Sequence, residues 1–399
     1  MTDAHQSGVR ACAWADFRGA IRAQRAQWHS GEVRWARNVL RCRDTLTIAH
    51  INRVATSVPS HDVHSTFVDF ARAMLPEDRG RAVFDRLVPK SQISHRYSVL
   101  PKSSDAEALE DVTRVYQRGQ FPSTARRMEL YEAHAPALAV EAVRKLRLQA
   151  EHRPVTHLVV TSCTGMVAPG LDLEVLAQCG LASTVERTMI GFMGCYAAIN
   201  ALKFARHVVR SEPKARVLVL NLELCTLHMQ ETHEIEQMLS FLVFGDGCAA
   251  SLISADTQGF AMDRFHAELV PETQSLITWK VRDQGFDMFL SGRVPEAISV
   301  GLRRCQAAIL DGAPKEEIEL WAVHPGGRSV LDAVHRGLGL PDDALVTSRG
   351  VLDDFGNMSS ATVMFVLERM LADAPAGARG CAMAFGPGLT AETMQFHKV

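Results

Sequence analysis

The sequence predicts an α/β protein made of two related βαβαβ-type halves, packed as one five-layered αβαβα unit. Three observations predict it. Short runs such as VTHLVVTS (155–162) and RVLVLNLEL (216–224) have the continuous, β-branched apolar character of strands buried on both faces. They alternate with longer segments of helical spacing, the pattern of a layered, mainly parallel sheet. The order then returns in the second half, where GNMSS (356–360) repeats the G-x-M-small-small pattern of GFMGC (191–195), each ahead of a helix.

The elements justify themselves in turn. LTIAHINRVAT (46–56) reads as a strand, and VPSHDVHSTFVDFARAML as a turn with Ser60 capping a helix. ARRMELYEAHAPALAVEAVRKLRLQA (125–150) repeats apolar residues at helical spacing. DLEVLAQCGL is a helix and RTMIGFM a strand. CYAAINALKFARHVVRSEP is a helix that opens at or near Cys195 and ends before Pro213. Beyond it, PEAISVGLRRCQAAIL reads as a helix, IELWAVHP as a strand, RSVLDAVHRGLG as a helix, and GNMSSATVMFVLERML as a turn into a helix. GCAMAFGPG closes the chain as a strand and loop. The divisions expected are a basic extension over 1–45, a first half over 46–255 and a second half over 256–399.

Composition removes several function classes. The 399 residues carry a net charge of −2, so no global charge points to nucleic acid or an anionic membrane. No apolar run reaches the roughly 18 residues of a spanning helix. The nine cysteines are irregularly spaced with no C-x-x-C pair, which argues against a disulfide framework or zinc ribbon and for the reducing cytoplasm. The first 43 residues hold eight arginines without an apolar stretch, so no secretory signal is expected there. His228 and His233 are five apart, which is not H-E-x-x-H, and no metal site is expected. G-x-G-x-x-G, Walker and G-x-S-x-G loops are missing.

Three residues carry candidate chemistry. Cys195 follows a strand, Gly191 and Gly194, and opens a helix whose N-terminal partial charge favours thiolate. A small core cysteine at a tight turn fits the same pattern. His324 ends a strand beside Gly326 and Gly327, where an imidazole can pair with a thiolate or donate to an oxyanion, or simply sit hydrogen-bonded in the core. Asn357 lies between Gly356 and a helix start. Its carboxamide can steady an enolate without supplying a proton that quenches it, or can serve as a turn residue.

Taken together, GFMGCYAAINAL (191–202), FGDGCAA (244–250), WAVHPGGRSVLDAV (321–334), GNMSSATV (356–363) and AFGPGLTAE (384–392) resemble the chalcone synthase-like, or type III polyketide synthase, family. The resemblance runs from about residue 46 to 397 and implies a thiolase-like fold and a homodimer. It implies acyl-CoA and malonyl-CoA as substrates, with no further cofactor. Cys195 then matches the nucleophile that takes the starter, and His324 and Asn357 the pair that assists malonyl-CoA decarboxylation. Phe244 matches a gatekeeping phenylalanine. Glu223, Ser359, Gly386, Pro387 and Gly388 fall among the residues that shape the cavity. Arg86, Lys90 and Ser329 match residues that hold coenzyme A, and a third basic position is Val83 here.

The cavity departs from the plant pattern. Cys163 and His228 stand where plant members have threonine, Trp279 where they have glycine, and Met288 where they have phenylalanine. Ala168 replaces a methionine that reaches across the dimer. These changes resemble bacterial members and favour an aliphatic acyl-CoA starter leading to a pyrone, resorcinol or phloroglucinol-type product. Two alternatives share the Cys-His-Asn set or the fold: a single-condensation ketoacyl synthase, and an inactive scaffold.

Overall fold

β-Branched strands and alanine-rich helices alternate through the computed structural model, which describes residues 47–75, 78–104, 111–148 and 153–399. The extension expected over 1–45 lies outside the described residues. The first part runs β1 (His50–Ser57), β2 (His61–Asp62), α1 (His64–Met74), α2 (Asp78–Leu87), β3 (Tyr97–Ser98), α3 (Thr124–Lys145), β4 (His157–Ser162), α4 (Leu171–Gln178), β5 (Glu186–Gly191), α5 (Ala197–Ser211), β6 (Val217–Leu224), α6 (Ile235–Phe241) and β7 (Asp246–Ser254). It continues with β8 (Phe260–Leu269), β9 (Ile277–Arg282), β10 (Gly285–Leu290), α7 (Val294–Ile309), β11 (Leu320–Val323), α8 (Arg328–Leu338), α9 (Val346–Phe355), α10 (Thr362–Asp373), β12 (Arg379–Gly386) and β13 (Thr390–Lys398). No described helix is long and apolar enough to cross a membrane.

Nine strands form one sheet in the order β11-β12-β13-β8-β1-β7-β6-β4-β5. Its two parts meet at β1 and β8, which share only two residue pairs, His50 with Ala261 and Ile51 with Phe260. The two-residue period of each strand then sorts its side chains into layers. Leu158, Val160, Leu218 and Leu220 face an outer cluster with Leu138, Ala139 and Ala142 of α3. Val159, Val217 and Val219 face the opposite way, into a central cluster that also takes Ala382, Ala384 and Met394 from the other part. Cys381, Met383 and Phe385 turn to a third cluster with Ile298 and Leu302 of α7 and Leu331 and Val334 of α8.

Helices α5 and α10 thus lie between the two parts of this sheet, which gives the five layers expected. Their sequences fit that place. Thr362 to Leu367 of α10 are all buried, as a helix covered on every side requires. Helix α5 brings Ala197, Ala198, Ala201 and Ala205 to its buried face, small enough for close sheet contact.

Three expectations need correction. Ser60 does not cap α1; Val63 occupies the N-cap position without a side-chain bond. The long helix α3 stops at Lys145. The sheet is mixed rather than mainly parallel, because only β4–β5, β4–β6 and β11–β12 run parallel. Strands β8 and β13, which the alternating pattern does not reveal, follow short connections, whereas β7 returns antiparallel to β6 after the longer segment that holds α6. A short connection returns the chain antiparallel, whereas a parallel partner needs a long crossover.

Candidate active site

The candidate site residues sit where strands or helices end and glycine lets the chain turn. Strand β5 ends at Gly191, and the turn to α5 passes through Phe192 at φ 56° and Gly194 at φ 83° before Cys195. A side chain at Gly194 would place its Cβ 2.5 Å from Pro387 Cδ, so only glycine fits between these two segments. His324 follows the last residue of β11, and Cys163 the last residue of β4. Asn357 follows α9 through Gly356 at φ 68°, where a Cβ would press on Arg96 Cγ at 2.8 Å.

These turns converge on one cavity of about 100 Å³. Cys195, His324, Asn357, Ser359, Phe244, Cys163, His228, Trp279, Met288, Gly386 and Pro387 all line it. The rest of the lining is mostly apolar, including Ile277, Leu290, Val294 and Ile298.

Asn357 is held most firmly. Its Oδ1 accepts from the Ser359 backbone N–H at 2.8 Å and the Thr362 hydroxyl at 3.4 Å. Its Nδ2 donates to Gly326 O at 3.2 Å, beside the His324 turn. With Oδ1 occupied as acceptor, the amide has one defined orientation and keeps a second N–H to offer. Its backbone N–H donates to Val243 O at 2.7 Å and its carbonyl accepts from Gly245 N–H at 3.0 Å, which fixes Phe244 beside it.

His324 is 1% exposed and neither ring nitrogen has a partner in the protein. Its backbone N–H donates to Met383 O at 2.7 Å, so the strand ladder sets its position and leaves the ring unpartnered. Burial alone pulls the imidazole down to about 3. Burial likewise pushes the Cys195 thiol up to about 11, against smaller opposing effects of the Ser359 and Asn357 side chains. The thiol donates to Ser359 Oγ at 3.6 Å. The thiolate expected from the helix end is therefore not the resting state that burial favours: α5 begins two residues further on, and desolvation outweighs its partial charge.

One wall is built by residues that bond to the turn after β4. Trp279 Nε1 donates to Cys163 O at 2.9 Å. His228 Nε2 donates to Thr164 O at 2.7 Å, and its Nδ1 accepts from Phe286 N–H at 3.2 Å. Burial draws His228 down to about 3, so the ring is neutral. It stacks on Phe286 at 4.2 Å and meets Trp279 edge-on at 5.5 Å. Trp279 and Met288 are cross-strand partners in the β9–β10 hairpin, which carries this wall as a unit.

Other expected residues lie off the cavity. Glu223 is fully buried behind Cys163 and accepts from Cys163 N–H, Thr164 Oγ1 and Ser360 Oγ at 2.9, 2.9 and 2.6 Å. It ties the turn after β4 to the turn before α10, and burial raises its carboxyl to about 7. Gly388, at φ 126°, packs against Thr390 rather than lining the cavity. Arg86 is exposed in the last turn of α2, and Lys90 is exposed just beyond it. Ser329 is exposed in the first turn of α8, next to the cavity-lining Val330.

Arg96 lines the cavity without having drawn notice in the sequence. It is fully buried, donates from Nη1 to Phe244 O at 2.7 Å and from Nε to His64 Nδ1 at 2.9 Å, and lies over the Phe67 ring at 5.3 Å. An arginine in ISHRY reads as a solvated charge, and nothing local marks it as buried.

Comparison with known proteins agrees with this geometry. Residues 37–257 match the N-terminal domain of the chalcone and stilbene synthases, and residues 262–399 the C-terminal domain. The alpha-pyrone synthesis polyketide synthase-like Pks18 of Mycobacterium tuberculosis is 33% identical over 88% of this chain and 91% of its own length. Bisdemethoxycurcumin synthase of Oryza sativa is 31% identical over 88% and 92%. Among solved structures, PKS-I of the brown alga Ectocarpus siliculosus superposes with a TM-score of 0.79 at 28% identity, covering 88% of this chain and 99% of that one. The type III polyketide synthase domain of Steely1 from Dictyostelium, at 23% identity and a TM-score of 0.81, shares the thiolase-like fold. Two family models that together span both halves, with a relative 33% identical over 88% of the chain, have one meaning: this chain belongs to the chalcone and stilbene synthases, the type III polyketide synthase family of acyltransferases.

Proposed function

We propose that Cys195 takes an aliphatic acyl group from coenzyme A and that the chain extends it with malonyl-CoA, cyclises it and releases a pyrone-type product. The observation that carries this reading is the meeting of Cys195, His324 and Asn357 on one apolar cavity, with both ring nitrogens of His324 unpartnered. In the first step the Cys195 proton passes to the imidazole as sulfur attacks the thioester carbonyl, and the departing coenzyme A thiolate takes that proton. In the second, malonyl-CoA loses carbon dioxide, and the enolate oxygen takes hydrogen bonds from Asn357 Nδ2–H and His324 N–H. The enolate carbon then attacks the acyl group on Cys195, which forms the new C–C bond and frees the sulfur. The extended chain, now on coenzyme A, returns to Cys195 for the next round. No cofactor beyond the thioesters is needed.

The pairing of Cys195 with His324 has a direct test. A thiol pushed up to about 11 is almost wholly protonated at neutral pH. Proton transfer to His324 offsets the cost, because thiolate and imidazolium attract each other strongly in a medium of low dielectric. Removing the ring in His324→Ala leaves the thiol at its burial-raised value. Thiolate is lost as pH falls through that value, so iodoacetamide labelling of Cys195 at pH 7 is expected to drop at least ~100-fold relative to wild type. Superimposable pH profiles for the two proteins would remove the pairing.

The starter preference rests on the wall and on the lining. His228 and Trp279, backed by Phe286, place rigid rings on one wall, while Met288 and the aliphatic lining residues Ile277, Leu290, Val294 and Ile298 suit a flexible chain. The name of the relative Pks18 refers to alpha-pyrone synthesis, which supports a pyrone. Each methylene buried adds at most about 0.8 kcal/mol, so kcat/KM should climb along acetyl-, hexanoyl- and lauroyl-CoA until the cavity ends. Trp279→Gly should admit bulkier starters or further extension. Product mass spectrometry with malonyl-CoA and this panel, plus benzoyl- and coumaroyl-CoA, decides the matter. Coumaroyl-CoA or malonyl-CoA alone as the best wild-type starter would overturn the aliphatic reading.

Arg86, Lys90 and Ser329 are proposed as coenzyme A contacts, since exposed cations and a helix N-terminus suit its phosphates. A homodimer through the open edge of β5 is the proposed assembly. Met189 on that strand is 46% exposed and Met166, in the loop after β4, 56% exposed, a costly state for an edge left unpaired. The free thiols suit the reducing cytoplasm.

A further inference from the structure

At the opposite ends of β4 and β5 from the cavity, a second cluster of chemically capable side chains has no part in the reaction. His157 opens β4, Glu186 opens β5 as its direct register partner, and Glu212 is the C-cap residue of α5. One ligand atom from each of the three lies within 4.8 Å of the other two, the one group of this kind among the described residues. We propose that His157, Glu186 and Glu212 bind a divalent transition-metal ion of the zinc class, with water completing the coordination.

The hydrogen bonding around His157 supports this. Thr156 Oγ1 donates its single proton to Arg216 O at 3.2 Å and accepts from Arg216 N–H at 2.9 Å. With its proton so placed, Thr156 Oγ1 accepts the 2.8 Å contact from His157 in the tautomer that carries the proton on Nδ1, the tautomer a metal would select; the other tautomer reverses this contact. In the neutral ring the Nδ1–H tautomer leaves the lone pair on Nε2, aimed at the carboxylates. Metal-binding histidines are fixed in this way, with the second nitrogen donating to an oxygen outside the ligand set. His157 is 7% exposed, so the ring is held in place.

Distance and charge point the same way. Nε2 stands 3.6 Å from Glu186 Oε2, too far for a good hydrogen bond. Nitrogen and oxygen ligands about 2.1 Å from a zinc ion at tetrahedral angles are themselves about 3.4 Å apart. Glu212 adds a carboxylate at the C-terminal end of α5, where the helix carbonyls already present negative charge. Glu186 supplies the second carboxylate from a side chain 74% exposed, so both acidic ligands reach the ion from the solvent side of the buried imidazole. Histidine with carboxylates suits zinc and its first-row neighbours better than calcium or magnesium.

The ion would clamp β4, β5 and α5, whose other ends carry Cys163, Gly191 and Cys195. It supplies no step of the reaction, so the test is binding itself. The full-length protein, stripped with EDTA and with accessible thiols alkylated, is titrated with zinc chloride against a chromophoric chelator. Wild type should bind zinc with Kd below about 10 μM and gain thermal stability from it. His157→Gln should lose the site, Glu212→Gln should weaken it at least ~10-fold, and Thr156→Val should do so with all three ligands still present. Glu212 is exposed, so its variant reads out binding even where His157→Gln misfolds. Polyketide formation by Glu212→Gln should match wild type, which separates failure here from failure of the proposed reaction. Equal zinc affinity and equal thermal shift in wild type, Glu212→Gln and Thr156→Val would overturn the site, as would a protonated His157 with no zinc bound below millimolar.

Discussion

Replacing Cys195 with alanine is expected to stop polyketide formation, by more than about 10⁴-fold, while malonyl-CoA decarboxylation persists. Every condensation in the proposed cycle passes through a thioester on this sulfur, and no other group can replace a lost nucleophile. Cys163 and Cys225 also line the cavity, but burial drives both thiols well up. Cys163 is further committed as acceptor to Gly194 N–H at 3.1 Å. The fold should survive, since Sγ donates one long hydrogen bond, 3.6 Å to Ser359, and a loss of about 1 kcal/mol is ordinary for such a change. His324 and Asn357 keep their supports, so the enolate site remains. Product and carbon dioxide measured on the same sample check the split. Undiminished product from Cys195→Ala would end the assignment.

Asn357→Ala should slow malonyl-CoA decarboxylation by about 100- to 1000-fold, the usual cost of one preorganised oxyanion donor. Acylation of Cys195 by the starter should fall much less. Alanine also removes the Oδ1 bonds to Ser359 and Thr362, so a loss alone is ambiguous. Asn357→Asp resolves this. A carboxylate keeps both acceptor contacts but has no N–H to give, and its charge opposes an enolate. The aspartate variant should therefore keep the thermal midpoint better than alanine and lose decarboxylation at least as badly. Recovery of decarboxylation in Asn357→Asp would mean that the asparagine only shapes the turn.

The meeting of the candidate residues was legible because they carry local signatures. Gly194, Gly326 and Gly356 mark sharp turns at element ends, and Cys195, His324 and Asn357 each stand within two residues of one. The wall was half legible. Trp279 and His228 stood out as large residues in place of small ones, yet Phe286, on which His228 stacks, carries no mark in GFDMFL. Glu223 shows the limit of a carried-over role. It sits in an apolar strand, as a cavity residue could, but its carboxylate is spent on Cys163, Thr164 and Ser360.

The sequence by itself determined the layered α/β class, the repeat of element order and the candidate set Cys195, His324 and Asn357 that meets at one cavity. Those depend on periodicity and on residues that impose their own backbone geometry, and both are local. Only the tertiary structure decided the antiparallel pairings through β7, β8 and β13, the burial of Arg96 beside Phe244, and the protonation preferences at the cavity. Cys195 follows a turn that favours thiolate, yet its thiol is pushed up to about 11, because desolvation depends on what the rest of the chain packs around it. His157, Glu186 and Glu212 are far apart in sequence and meet only because β4 and β5 run in parallel register with α5 ending beside them. Pairing, burial and charge are properties of neighbours in space, and a chain names its neighbours only by folding.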